Sequence, residues 1–167
     1  MTKDQFVFNA IKEGIGYTDA LKLWNQGHST FSGQWTTHIN EAEEIVIKQV
    51  AVLNAYHGMQ VRPVISWGRH RNNSWGGYGG NKISLAMKRH VPSDSDDSTE
   101  VFTFNEYNRF AASPTIGTFK GTWQDCLKCL VAHEHAHCHP KSVGHGSEWQ
   151  KIYAVNRQQF KLNGENT

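Results

Sequence analysis

The sequence predicts an α+β fold, and three observations predict it. Apolar residues recur at helical spacing in 40–57 and again in 122–138, two short runs at 62–67 and 82–87 alternate as strands do, and a glycine- and aromatic-rich stretch separates those runs. Helices packed around a short antiparallel or mixed sheet satisfy all three.

Taken in order, residues 4–26 read as two short helices. Asp4 to Glu13 carries Phe6, Val7, Ala10 and Ile11, Thr18 to Gln26 carries Ala20, Leu21, Leu23 and Trp24, and Gly14-Ile15-Gly16 turns between them. A helix-turn-helix that enters DNA has this outline, but so does any helical hairpin, and basic residues are few. Residues 27–37 are polar and read as a linker, so 1–37 is a helical N-terminal appendage with its linker, and 38–167 is the main domain. From Asn40, with Glu43 three residues on, a helix runs to about His57, buries Ala42, Ile45, Val46, Val50 and Leu53, and stops at Gly58. Arg62–Trp67 and Lys82–Met87 are strands, expected as a hairpin or small antiparallel sheet, with SWGGYGGN as turn. That turn is not a phosphate loop, because Asn81 separates Gly80 from Lys82. VPSDSDDSTE (91–100) is an acidic loop, VFTF (101–104) a strand, Asn105–Ala112 a short helix and SPTIGTFKG (113–121) a loop. Ser147 is read as the cap of a last helix through Trp149, Ile152, Tyr153, Val155 and Phe160, ending near Asn163-Gly164.

The chemistry concentrates in TWQDCLKCLVAHEHAHCHPKSVGHGSEW, residues 122–149. Thr122 followed by Asp125 opens a helix, Leu127, Leu130 and Val131 give it an apolar face, and Pro140 ends it. On that helix His133 and His137 lie one turn apart on one face, and Glu134 lies beside them. Two neutral imidazoles suit Zn²⁺, and a neighbouring carboxylate that is not a ligand suits the general base of a zinc hydrolase. A catalytic zinc takes a third protein donor, and His145, between Gly144 and Gly146, is the best placed. His139 is too near in the chain, His135 points to the other side of the helix, and Glu148 stands as a substitute. The metzincin continuation is absent, since Cys138, His139 and Pro140 follow His137.

Whole-chain properties set bounds. The length of 167 residues suits one domain with a sizeable core, and a net charge of +2 does not by itself demand a nucleic-acid partner. The N-terminal stretch lacks the pattern of a signal peptide, and no apolar stretch spans a bilayer, so a cytoplasmic location is expected, a host's cytoplasm if the source is viral. Cys126, Cys129 and Cys138 fit a reducing compartment, and the C-x-x-C of the first two is read as packing. Between Val61 and His90 there is no acid, while Arg62, Arg69, Arg71, Lys82, Lys88 and Arg89 are basic with Trp67, Trp75 and Tyr78 among them. Single-stranded nucleic acid is held by such a mixture, and Arg69, Arg71, Trp75, Lys88 and Arg89 are the candidate contacts.

From Asn40 to Phe160 the chain resembles the SprT-like metalloprotease family, to which the Spartan proteases belong. The likeness is carried by ISWGRH, the glycine-aromatic turn, KISLAM, LVAHEHAH and GHGSEW. The resemblance implies a small zincin-like domain over 38–167, its active-site helix on the sheet, one zinc on His133, His137 and His145, and Glu134 as acid-base. It also implies a hydrolase that cuts proteins bound or crosslinked to DNA, as in DNA-protein crosslink repair. No cysteine ribbon follows His145, so damaged or single-stranded DNA would be met by 61–90 or by the N-terminal helices. The alternative reading is a DNA-binding or regulatory protein whose zinc is structural, closed by a fourth ligand such as Glu148 or Cys138.

Overall fold

The computed structural model describes residues 2–12, 14–27, 38–67, 74–87, 90–92, 102–106, 117–162 and 165–166. In chain order the elements are α1 (Lys3–Lys12), α2 (Tyr17–Asn25), α3 (Ile39–His57), β1 (Arg62–Ser66), β2 (Trp75–Gly76), β3 (Lys82–Ala86), β4 (Phe102–Glu106), β5 (Gly117–Gly121), α4 (Trp123–Cys138), α5 (Ser147–Gln158) and β6 (Glu165–Asn166). The described chain is thus mixed α+β, with five helices and two three-stranded sheets ordered β1-β3-β2 and β4-β5-β6.

Helix α4 is central. It touches α3, α5 and strands of both sheets, and most of its side chains are buried, Leu127, Val131 and Ala132 completely. Helix α3 lays Ala42, Val46, Val50 and Leu53 along it, a spacing that repeats one helix face. The core continues into the N-terminal hairpin through Phe6, Val7, Ala10, Ala20 and Leu23. Glu43 ties the two parts together: one carboxylate oxygen accepts from Lys22, the other from the indole N–H of Trp67 at 3.1 Å. All three cysteines are free and buried, and burial, aided by the neighbouring Asp125 charge, pushes the Cys126 thiol up to about 11.

Several expectations are corrected. β1 and β3 do not form a hairpin: they run parallel, Pro63 beside Ile83 and Ile65 beside Leu85, and β2 adds antiparallel on the other side of β3. Alternation specifies which face a strand buries, not which way its neighbour runs, so Ile83 and Leu85 would point inward in either arrangement. The turn stretch accordingly contains a strand, β2. Residues 117–121, expected as loop, form β5, because pairing with β4 and β6 overrides two glycines of low strand propensity. Asn105 and Glu106 belong to β4, and the rest of the expected 105–112 helix lies outside the described residues. The cap of α3 is His38, not Asn40, and that of α5 is Gly146, Ser147 being its first residue. α5 ends at Gln158, short of 163–164. The expected linker over 28–37 and the acidic loop over 93–100 fall outside the described residues.

Candidate metal centre

The site starts from how α4 begins and ends. Thr122 Oγ1 accepts a hydrogen bond from the Asp125 N–H at 3.2 Å, which caps the helix in the expected register. His139 closes it, Pro140 follows, and the chain turns back through two bonds, Ser142 N–H to the His139 carbonyl (2.9 Å) and Gly146 N–H to the Val143 carbonyl (3.2 Å). Gly144 takes a left-handed φ of +55° in that turn, a conformation side chains resist. Gln150 then holds the returning strand of chain, its amide donating to the His145 carbonyl at 3.1 Å.

The result brings three imidazoles to a point. His137 Nε2 lies 3.3 Å from His133 Nε2 and 3.0 Å from His145 Nε2, and the last two are 3.3 Å apart. Three nitrogens at ordinary zinc bond lengths of ~2.0–2.1 Å, set at tetrahedral angles, stand about 3.3 Å apart, so the donor set fits a tetrahedral ion. Burial lowers the pKa of all three rings, in His137 to about 4, and the neighbouring imidazoles add to the shift in His133 and His137. The rings are therefore neutral near pH 7. Among the described residues this is the one group of three or more His, Cys, Asp or Glu able to hold a metal ion, and no fourth such donor joins it.

Beneath the imidazoles lies Trp149 of α5, fully buried. Its ring centroid is 4.8 Å from that of His133, 5.2 Å from His137 and 4.6 Å from His145, so a single indole touches every member of the cluster. Tyr153, one turn on, stacks against that indole at 5.1 Å.

Glu134 is the acid beside the cluster, Oε1 at 3.8 Å from His133 Nε2. Burial alone pushes its carboxyl up to about 8, and a cation on the three nitrogens would pull it back toward the ionised form.

The remaining candidates separate cleanly. His135 is completely buried on the far side of α4, its Nε2 2.9 Å from Asn54 Oδ1. His139 packs edge-on to His57 instead of entering the cluster. Glu148 points to solvent and pairs with Lys151, while the Cys138 thiol donates to the Lys82 and Glu134 carbonyls, which removes both proposed fourth ligands. An oxyanion donor beyond the metal could be a tyrosine brought close by the fold: Tyr78 is 68% exposed, Tyr153 is buried within 6.0 Å of His133 by ring centroids, and Tyr107 lies outside the described residues. Arg69, Arg71, Lys88 and Arg89 also lie outside them. Trp75 is more than half exposed, whereas Trp67 is core and leaves the basic-aromatic surface.

Sequence reasoning missed three groups. His90 lies near enough that its charge would lower His133 further. Trp149 was legible as an apolar helix position and as the end of GHGSEW, but not as the ring under all three imidazoles. Gly76 packs flat on α4: a Cβ there would enter the van der Waals shell of the Glu134 carbonyl oxygen and come 3.2 Å from His137 Cβ. The glycine-rich composition of 74–80 was the available signal for that approach.

These shifts predict how the metal-free protein responds to pH. His135 and His137, held near 4, and His133, His139 and His145, also lowered, stay neutral when folded, so stability is lost as pH falls below 6.5 and the unfolded chain takes up protons. Glu134, raised from 4.5 to about 8, acts oppositely, its share of stability being lost as pH rises through that window. With several histidines against one carboxyl, the metal-free melting temperature should peak between about pH 6.5 and 7 and decline toward 8. Calorimetry of chelator-treated protein checks this, and Glu134→Gln should flatten the alkaline limb and steepen the acid limb above about pH 4.5.

No family model, no curated protein and no solved structure matches the chain. Its chemistry is accordingly read from its own side chains.

Proposed function

We propose that the chain is a zinc-dependent endopeptidase of the SprT-like, zincin-like kind that acts on DNA-associated or DNA-crosslinked proteins, in a cytoplasmic setting. The observation that carries the reading is the convergence of His133, His137 and His145 with the Glu134 carboxyl alongside and no fourth donor among the described residues. That arrangement favours an open position over a closed structural site. Bound there, zinc would supply a Lewis acid for the scissile carbonyl and lower the pKa of a coordinated water toward about 7. The chain's own part is proton transfer: the Glu134 carboxylate accepts the proton of the attacking water and delivers it to the departing amine nitrogen. Strand β2 supports a peptide substrate. It is the edge of its sheet, pairs with β3 alone among the described residues, and lies against α4 at Glu134 and His137, where an extended chain could add as the next strand.

The test is incubation of zinc-loaded protein with a DNA-bound protein, with and without the DNA, followed by detection of fragments. Cleavage that stops on chelation and returns with zinc is the expected result; an intact substrate under full metal occupancy overturns the reading.

The nucleic-acid part rests on the outer face of the first sheet. Register places Arg62 beside Lys82, and Val64 and Trp75 on either side of Ser84, so two exposed cations and an exposed indole share a face. Phosphates on the cations and a base on the indole give single-strand binding. The affinity for an oligothymidine should fall with rising salt, and replacing both Arg62 and Lys82 should lower the log–log salt slope by about 1.4. A slope unchanged by that replacement removes this face. Among the described residues no helix is long and apolar enough to cross a membrane.

A further inference from the structure

Behind the metal helix, away from the three imidazoles, lies a set of polar side chains that the proposed reaction does not use. Asn54 of α3 closes a pair of bonds with Val61, its amide donating to the Val61 carbonyl (2.7 Å) and its Oδ1 accepting the Val61 N–H (3.1 Å). A backbone N–H can only donate, so the Asn54 oxygen faces it, and the same oxygen receives His135 Nε2 at 2.9 Å. His135 is therefore protonated on Nε2. Asn156 of α5 is also completely buried, and its amide donates to the Ala132 carbonyl at 3.1 Å. That orientation turns its Oδ1 to His57, which must donate from Nε2 at 2.6 Å.

Two points on α4 are thus gripped, the Ala132 carbonyl immediately before His133 and the side chain of His135 midway between His133 and His137. The grips come from α3 and α5, and His57, the last residue of α3, stacks on His135 at 6.0 Å. Apolar packing alone lets a helix roll by some degrees about its axis, because hydrophobic contacts carry little direction. Hydrogen bonds with fixed donors and acceptors do not, and a roll that swung the His133 and His137 rings would break both grips together.

We propose that Asn54, His57 and Asn156 are positioning residues that fix the rotation of α4 about its axis and thereby aim His133 and His137 at the ion. The inference rests on reading His133, His137 and His145 as a metal site, and not on peptidase activity.

Zinc affinity by chelator competition, and the absorption spectrum of the cobalt form, read the aim of the rings without any substrate. His57→Ala and Asn156→Leu should each weaken zinc binding by about tenfold to a hundredfold and change the cobalt bands, as loss of outer-shell support does. His57→Gln, whose amide can still donate to Asn156, should recover most of the loss, which a role in bulk packing would not produce. Circular dichroism shows whether each variant folds, and if Asn156→Leu does not, the half-buried His57 pair decides. Wild-type affinity and spectrum in folded His57→Ala, or a Gln variant as weak as the Ala variant, overturns the proposal. A wild-type protein that takes up no zinc overturns the metal-site reading as well, whereas one that binds zinc but cuts nothing sinks only the peptidase reading.

Discussion

In the proposed zinc peptidase, replacing Glu134 by Gln is expected to lower kcat by about 10²–10⁴-fold without loss of bound metal. The amide matches the carboxylate in size but cannot accept a proton at neutral pH, so the step that depends on the base is lost and the packing is not. Retention of metal follows from geometry: Glu134 is not a member of the three-nitrogen group, and its carboxyl stands to one side of His133. The change also removes a buried acid whose ionised form the interior resists, so folding should suffer little. Single-turnover cleavage and bound-zinc analysis on the same preparation give the answer. An active variant with full metal would show that some other group moves the proton; an inactive one without metal would show that the residue supports the site and not the reaction.

The second large effect is expected at a residue with no side chain. Gly76→Ala should destabilise the fold by about 3 kcal/mol, the upper part of the range for forcing extra volume into a packed interface. A Cβ at this position meets the backbone carbonyl of Glu134, and backbone cannot swing aside as the end of a flexible side chain can. Relief requires β2 to lift from α4 beside Glu134 and His137, which loosens its pairing with Ser84 and Ile83, so the proposed activity should fall with stability. Gly16→Ala is the control, since a Cβ there meets nothing within 4 Å. Urea midpoints of the two variants should differ clearly. A Gly76→Ala protein that unfolds where the wild type does would mean the strand is free to stand off the helix.

What could be read from the residues, and what could not, divides by sequence distance. Helices α3 and α4 were legible because their apolar spacing runs for several turns and their ends carry local signals, Gly58 for one and the Thr122–Asp125 pair for the other. His133 and His137 were legible for the same reason, and His145 because its glycine neighbours lie a short turn away. The direction of β3 relative to β1 was not, since both pairings bury the same side chains. Strand β5 was hidden by its glycines, and of its two partners β6 lies at the far end of the sequence. Asn54 and Asn156 look like ordinary polar positions on amphipathic helices. Their partners, His135 and His57, are 81 and 99 positions away, and no local pattern announces them.

The three imidazoles, by contrast, are neighbours in sequence: His133 and His145 are separated by 12 positions. Closing so short a segment costs little chain entropy, while seating α4 against α3, whose Asn54 meets His135 across 81 positions, is a slow, non-local event. An ion can therefore be captured by the α4-turn-α5 hairpin before α3 has packed against it. Added during refolding, metal would act as an early nucleus that hastens assembly, and not merely as cargo taken up by a finished fold.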